Sequence, residues 1–263
     1  MLDASTKALP VIDEIIAEAA AAPGAGEATT LDVSVGPFWT AVRTSARAGL
    51  ASTMAHADEH PGPPVRLAGS LRRLAPLELA ALLRSTSPPE AAIGLAAVNA
   101  LLDSAAAGAV AGNARELLCE RAQGRLLAVI GHFPFTELLR SACRELWVFE
   151  RVGRLRPGEL EESSMDELLP HAEVVAVTGS AVLNHTLEAI IGRMRPDAFK
   201  VMLGPSTPLA SCLLARGFDV LCGTVVDDPA AVVRAVSEGA VTDQIPGVRR
   251  VCLFRGRGDA SPT

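Results

Sequence analysis

Three segments between residues 125 and 223 each lead from an apolar stretch into a short glycine turn that carries polar side chains. They read LLAVIGHFPF at 126–135, VVAVTGSAVLNH at 174–185 and VMLGPSTPL at 201–209. Short apolar runs bounded by Gly and Pro are typical of strands buried on both faces of a parallel sheet. Ligands bind outside the carboxyl ends of such strands, so the three turns predict where a site lies.

The second half of the chain, residues 123–256, alternates between strand and helix patterns. Strands are predicted at 125–130, 145–149, 173–177, 198–203, 218–222 and 249–254, with helices at 135–143, 182–193, 207–216 and 229–238. This alternation predicts an α/β fold with a doubly wound parallel sheet. The last residues, 257–263, are expected to form a disordered tail.

Residues 1–122 show the mixed pattern of a smaller α+β domain. A helix is predicted at 5–22, and three short segments at 31–36, 38–45 and 47–54 predict an antiparallel meander. The Pro- and Gly-rich residues 55–70 predict a loop. Further helices are predicted at 76–84, 88–107 and 113–122.

Charge and composition exclude several classes of partner. The chain carries 24 Lys and Arg against 30 Asp and Glu, a formal charge of −6, and it has no Tyr. It therefore lacks the basic surface and the stacking aromatics of nucleic-acid binders, and it has no polybasic patch for a membrane. Without an apolar span or a signal-peptide pattern, a cytoplasmic protein is expected. A homodimer is the default expectation, since Ala-rich helices could bury against a second copy.

The first turn, at Gly131 and His132, follows the first strand of the sheet and opens a helix. Glycine allows close backbone approach, and a helix start offers unpaired N–H groups to an anion. Glu150 ends the second strand 19 residues later, where dinucleotide folds place a ribose-binding carboxylate, although the full glycine fingerprint is absent. Ligand contact and a purely structural turn both remain open for this segment.

The second turn, Thr178-Gly179-Ser180, leads into a helix that carries Asn184 and His185. Hydroxyl, amide and imidazole groups supply donors, acceptors and a titrating group. Helix capping explains one or two hydroxyls but not this whole set, so the segment favours a functional role.

The third turn, Gly204-Pro205-Ser206-Thr207, has a complete structural explanation of its own. Ser206 or Thr207 could cap a helix that starts at Pro208. Only its position beside the other two turns favours function.

Two pairs of histidines are candidate metal ligands. His56 and His60 are spaced by three residues but precede a Pro-rich segment, which favours a solvated loop. His132 and His185 sit at different strand ends and could converge on a metal, with Glu150 or Asp227 as an oxygen donor. The five cysteines are dispersed without a CxxC pattern, which predicts reduced and mostly buried thiols: Cys119, Cys143, Cys212, Cys222 and Cys252.

The strings GHFPF, TGSAVLNHTLE, GPSTPL and DVLCGTVVDDPAAVVRAVSEG occur in this order and resemble the Rossmann-like domain of a family named for heavy-metal chelation, whose members are uncharacterised. RAGLASTM and PPEAAIGLAAVNALL resemble that family's preceding domain, which is similar to the N-terminal domain of enolase. The resemblance implies a ligand or a transition or heavy-metal ion in the cleft between the domains. It implies contacts from Gly131, His132, Thr178, Gly179, Ser180, Asn184, Gly204, Pro205, Ser206 and Thr207. Asn99, which interrupts an apolar helix face, could reach the same cleft or be satisfied by backbone.

Two functions follow from these patterns, and the residues leave open whether any reaction is catalysed. The first is a protein that binds a small molecule or a metal complex in the cleft. The alternative is an enzyme with a nucleotide-like cofactor, using Glu150 on the ribose and His132 or His185 as acid or base. A scaffold or assembly subunit is a third, non-catalytic possibility.

Overall fold

Two sheets organise the chain: a three-stranded antiparallel sheet and an eight-stranded mixed sheet. The computed structural model describes residues 10–54, 63–105 and 107–256. The predicted α/β class is thereby confirmed. Parts of the predicted first helix and loop, 5–9 and 55–62, and the predicted tail, 257–263, lie outside the described residues.

The small sheet consists of β1 (Thr30–Val35), β2 (Trp39–Thr44) and β3 (Ala48–Ser52), paired in sequence order. Both pairings are antiparallel, so the predicted meander is confirmed. The sheet packs against the helix α3 (Pro88–Leu101), which follows α1 (Pro10–Ala21) and α2 (Pro76–Ala81) in the chain. Gly49 permits this contact, because a Cβ there would lie 2.3 Å from the carbonyl oxygen of Ala96.

Helix α3 ends at Leu101 and does not extend to residue 107 as predicted. The Arg47 side chain stops it. Its Nη2 donates to the Leu101 carbonyl at 2.9 Å, and its Nη1 pairs with the Asp103 carboxylate at 3.0 Å. The guanidinium thereby satisfies the Leu101 carbonyl, which a longer helix would bond internally.

The large sheet has the strand order β4-β11-β10-β9-β8-β5-β6-β7. All six predicted strands are present, and two short ones, β4 and β7, were not predicted. The strands are β4 (Val110–Ala111), β5 (Leu126–Ile130), β6 (Glu145–Glu150), β7 (Leu160–Glu161), β8 (Val174–Thr178), β9 (Phe199–Leu203), β10 (Val220–Val226) and β11 (Val248–Phe254). The strands from β7 to β10 are parallel, and β11 runs antiparallel to β10. β4 pairs antiparallel with β11 and therefore runs in the same direction as β10.

Apolar residues cover both faces of this sheet, as the continuous apolar strands predicted. Along β5, Ala128 and Ile130 belong to one core cluster, whereas Leu127 and Val129 belong to the other. In the sheet, β6 lies beside β5 on one side and β8 lies beside it on the other. The carboxyl ends of β5 and β8 are therefore neighbours at a point where the strand order reverses, which is where crevices form in open α/β sheets.

Seven helices connect or flank these strands in the described residues: α4 (Ala114–Arg121), α5 (Thr136–Ala142), α6 (Met165–Leu168), α7 (Ser180–Leu183), α8 (Leu187–Arg193), α9 (Ser211–Ala215) and α10 (Pro229–Ser237). Among the described helices, none combines the length and apolar character needed to cross a bilayer. Because α4 packs on the large sheet and β4 pairs with β11, residues on the N-terminal side of 122 already belong to its layers. The domain boundary near residue 122 stays a prediction.

Two predicted helices differ from those observed. The segment 182–193 is divided into α7 and α8, because His185 adopts φ +57, a left-handed conformation that interrupts the helix. The segment 207–216 is helical only from Ser211, so Ser206 and Thr207 do not cap it. Glu18 of α1 does so instead: its carboxylate accepts from the N–H groups of Ser211 and Cys212 at 2.6 and 2.8 Å.

Candidate functional site

A cleft of about 830 Å³ lies outside the carboxyl ends of β5, β8 and β9. Trp39, Ser52 and Met54 of the small-sheet region line its other side. Ten predicted site residues are among its lining residues: Gly131, His132, Glu150, Thr178, Gly179, Ser180, Asn184, Gly204, Pro205 and Ser206. The three glycine turns therefore converge in space as their positions at strand ends predicted.

Glycines make this convergence sterically possible. Gly131 has φ +96, and a Cβ there would lie 2.9 Å from Cγ2 of Thr178. A Cβ on Gly179 would lie 2.5 Å from the backbone nitrogen of Thr207. The first turn thus touches the second, and the second touches the third.

The glycine amides are not free to bind an anion. Gly131 donates its N–H to Phe149, Gly179 to Leu203 and Gly204 to Cys222, each to a carbonyl of the neighbouring strand at 2.9 to 3.1 Å. These bonds extend the parallel ladder by one residue beyond each strand. These three N–H groups are therefore not available to a ligand at the turns.

His132 lies between two carboxylates. Its Nδ1 is 3.1 Å from Glu150 Oε2, and its Nε2 is 2.7 Å from Glu159. All three side chains are largely buried, with exposures of 15 %, 10 % and 9 %. Burial by itself would raise the pKa of Glu159, but hydrogen bonds from His132 and from the Arg156 N–H lower it below its usual value. Glu159 was not predicted, because it lies in a polar loop with no pattern that marks it.

This arrangement limits what His132 and Glu150 can do. The second oxygen of Glu150 accepts from the Arg151 N–H at 2.9 Å. Both carboxylate oxygens and both ring nitrogens are consequently engaged within the protein. The cluster holds the first turn to the 151–159 loop, and the roles of His132 and Glu150 toward a cofactor stay predictions.

Ser206 joins the third turn to the small sheet. Its Oγ accepts from the Ser52 N–H at 2.8 Å, and the Asn99 Nδ2 donates to the Leu50 carbonyl at 2.8 Å. A weaker contact of 3.5 Å links the same Nδ2 to the Ser206 carbonyl. Asn99 and Ser206 therefore connect the two sheets behind the cleft.

Asn99 and Thr207 line a second, smaller cavity of about 90 Å³ and not the main cleft. Asn99 Oδ1 and Thr207 Oγ1 are buried there without a hydrogen-bond partner among the described residues. Buried polar atoms without a protein partner are usually satisfied by ordered water.

His185 faces away from the main cleft lining. Its Nε2 lies 2.7 Å from the Leu83 carbonyl oxygen, which connects the break between α7 and α8 to the end of the predicted 76–84 helix. His132 and His185 thus face different partners, and their role as metal ligands stays a prediction.

The donor groups in the described residues do not fit a bare metal ion. Across residues 10–54, 63–105 and 107–256, no three His, Cys, Asp or Glu side chains are arranged to hold one. Glu150 and Glu159 face opposite edges of the His132 ring, so the three cannot point at a common centre. His56 and His60 lie outside the described residues.

Four arginines that sequence reasoning missed line the cleft; Arg115 pairs with Glu116, and the other three are Arg151, Arg154 and Arg250. Within the described part of the chain none of these three forms an ion pair, although most other arginines do. The Ser180 hydroxyl and the Asn184 amide also line the cleft without a hydrogen-bond partner there. The carboxylates of Glu162 and Asp243 line the cleft as well, so its polar lining carries charges of both signs.

The fold and cleft define a class of α/β proteins with a potential ligand crevice at the reversal of strand order. Within that class the chain belongs to the DUF364 family, described as "Putative heavy-metal chelation", whose model matches residues 113–253. A second model with the same description, DUF4213, matches residues 18–102.

Relatives share the fold without establishing an activity. The chain is 29 % identical over 138 residues to "Uncharacterized protein MJ0500" from Methanocaldococcus jannaschii, and the match spans about half of each protein, 50 % of this chain and 52 % of the relative. A DUF364 crystal structure from Desulfitobacterium hafniense, of unknown function, matches with a TM-score of 0.79 and 22 % identity over 93 % of this chain and 97 % of that one. A second, from Pyrococcus horikoshii, matches with 0.77 and 19 % over 93 % and 99 %.

Proposed function

We propose that this protein binds an anionic small molecule, free or as a metal complex, in the main cleft. The observation that supports this is that three arginines without an ion pair among the described residues, Arg151, Arg154 and Arg250, line the same cleft as the converging turns. Guanidinium groups bind carboxylates and phosphates through two parallel hydrogen bonds.

The Thr178-Gly179-Ser180 segment and Asn184 contribute neutral polar contacts to this proposal. The Ser180 hydroxyl and the Asn184 amide can both donate and accept, which suits ester, hydroxyl or carboxylate oxygens of a ligand. Arginine supplies affinity, and the amide and hydroxyl supply selectivity. The volume of about 830 Å³ is within the range of small-molecule sites.

Titration calorimetry with inorganic pyrophosphate and with citrate tests the proposal. Arg154→Gln and Arg250→Gln should each weaken binding by about tenfold or more, because one charge-assisted hydrogen bond contributes about 1.5–3 kcal/mol. Arg234→Gln is the matched control, since it removes the same charge from an exposed position on α10 outside the cleft. Failure of both polyanions to bind, or an equal loss in the control, contradicts the proposal.

The metal part of the proposal has its own test. Because the described donors do not fit a bare ion, transition metals alone should leave the melting temperature unchanged. A metal should stabilise the protein only when supplied with a polyanionic chelator such as citrate. Metal analysis of freshly purified protein complements this, and strong stabilisation by a metal alone would show that the ion is held by protein ligands.

The alternative, an enzyme with a nucleotide-like cofactor, is favoured by one feature: the cleft lies where the strand order reverses. Glu150 lines the cleft, and each of its oxygens can accept a second hydrogen bond besides those from His132 and Arg151, so the ribose role stays open. Denaturing mass spectrometry of the purified protein for a bound nucleotide separates this alternative from the first. A homodimer is also proposed, and light scattering tests it.

A further inference from the structure

Two buried thiols face each other in the wall of the cleft. Cys222 on β10 and Cys252 on β11 are directly opposite in the antiparallel register, with their Sγ atoms 2.8 Å apart. Cys222 lines the cleft itself. Cys252 lies behind Gly112, another lining residue, where a Cβ would come within 2.7 Å of the sulfur. A glycine at this position leaves space for the second thiol.

The short distance argues against a metal ion between these sulfurs. With metal–sulfur bonds of about 2.3 Å, sulfurs 2.8 Å apart would subtend an angle of about 75° at the ion. Tetrahedral coordination needs about 109°, so the pair would have to open widely.

The same distance favours a disulfide. Directly opposite residues of antiparallel strands have Cα atoms about 4.5–5.5 Å apart, within the range that disulfides span. The sulfurs need to approach by only about 0.8 Å to reach the bond length of about 2.04 Å. The other three cysteines, Cys119, Cys143 and Cys212, make no contact of this kind.

We propose that Cys222 and Cys252 are a redox-active dithiol that hydrogen peroxide, entering through the cleft, converts to an intramolecular disulfide. The Cys222 sulfur attacks one peroxide oxygen, the O–O bond breaks, and the displaced oxygen leaves as water with the thiol proton. This gives a sulfenic acid on Cys222. The Cys252 sulfur then attacks that sulfur, the S–S bond forms, the S–O bond breaks, and the hydroxyl leaves as a second water with the Cys252 proton. Two electrons pass from the thiols to the peroxide.

This site is independent of the anion proposed for the cleft, and thiol counting tests it. The reduced full-length protein is treated with stoichiometric hydrogen peroxide, denatured and alkylated. Five alkylated cysteines are expected before treatment and three after it, with a mass loss of about 2 Da for the closed disulfide. Peptide mapping should join Cys222 to Cys252, and dithiothreitol should restore all five thiols.

Cys222→Ser and Cys252→Ser should each abolish the peroxide-induced loss of two thiols. Cys212→Ser is the matched control, since it removes a thiol outside this pair and should still lose two. Peptide mapping of the wild-type protein identifies the cross-linked cysteines even if a variant folds poorly. Five alkylatable cysteines after treatment, a cross-link between other cysteines or chains, or a stable sulfinic acid on Cys222 without a cross-link would each overturn the proposal.

Discussion

Gly179 allows two turns of the cleft to lie in contact because it has no Cβ atom. It lies where the second turn meets the third, and its missing side chain admits the backbone of Thr207. Its own N–H is bonded to the Leu203 carbonyl. Position 179 therefore requires glycine so that the Thr207 backbone can lie close to it. The sequence Thr178-Gly179-Ser180 does not reveal this requirement, because a turn that only caps a helix could have the same residues.

Gly179→Ala should lower the free energy of unfolding by about 3 kcal/mol, because the new Cβ meets backbone that cannot move aside. Denaturant unfolding measures this. Gly192→Ala is the matched control: it adds the same methyl group on α8 where nothing lies within 4 Å, and it should stabilise the protein by about 0.5–1 kcal/mol. Equal stability of the two variants would refute the close approach.

At the scale of elements, α3 is fixed by a buried carboxylate in its first turn. Glu90 accepts hydrogen bonds from the Arg66 backbone and guanidinium and from the Ser85 hydroxyl, and only 2 % of the residue is exposed. Burial alone would raise the pKa of Glu90, but these hydrogen bonds lower it to about 2. The ionised carboxylate thus ties the helix start to the segment before it.

A pH titration tests this element. In the unfolded chain Glu90 titrates near 4.5, so its contribution is complete above that pH and is lost as the pH falls toward 2. The lowered pKa corresponds to about 3 kcal/mol. Unfolding experiments between pH 6 and 2 should show this loss in the wild type and much less of it in Glu90→Gln. Glu27→Gln, which changes an exposed and unpartnered carboxylate, should keep the full pH dependence.

Helix α9 shows the limit of local rules for an element. Ser206, Thr207 and Pro208 have the composition of a helix start, yet the helix begins at Ser211. The cap comes from Glu18, 193 residues away in the chain. A helix cap can be predicted from the neighbouring sequence only when the capping residue lies next to the helix in the chain.

At the scale of the molecule, Ser206 connects the two sheets. Its hydroxyl accepts from the Ser52 N–H at the end of β3, and Asn99 bonds Leu50 beside it. These contacts position the small sheet over the turns of the large one. They belong to the tertiary arrangement and not to either sheet alone.

Ser206→Ala should lower the free energy of unfolding by about 1–3 kcal/mol, because it leaves the Ser52 N–H without its acceptor. Hydrogen exchange at the Ser52 amide should also become faster. Thr207→Val is the matched control on the adjacent residue: its hydroxyl has no partner among the described residues, so the loss should be small or absent. An unchanged Ser52 exchange rate in Ser206→Ala would contradict this connection.

The candidate site was partly predictable. Periodicity located the strand ends, so the convergence of Gly131, Thr178 and Gly204 could be expected from the amino-acid pattern alone. The Glu159 partner of His132 and the cleft arginines could not be found in this way. Glu159, Arg151 and Arg154 lie in a loop without a periodic signal, and the pattern of β11 does not mark Arg250. Asn99 and Thr207 were expected at the cleft and instead line the smaller cavity behind it.

The sequence by itself determined the α/β class, the order of strands and helices, and the edge of the sheet where the turns gather, because burial on two faces imposes a continuous apolar pattern. Only the tertiary structure decided which polar groups remain available at that edge. His132, Glu150 and the three glycine amides are bonded within the protein, while Arg151, Arg154 and Arg250 form no ion pair among the described residues. Hydrogen-bond partners depend on which groups the fold brings close together, and a local sequence pattern does not show which groups those are.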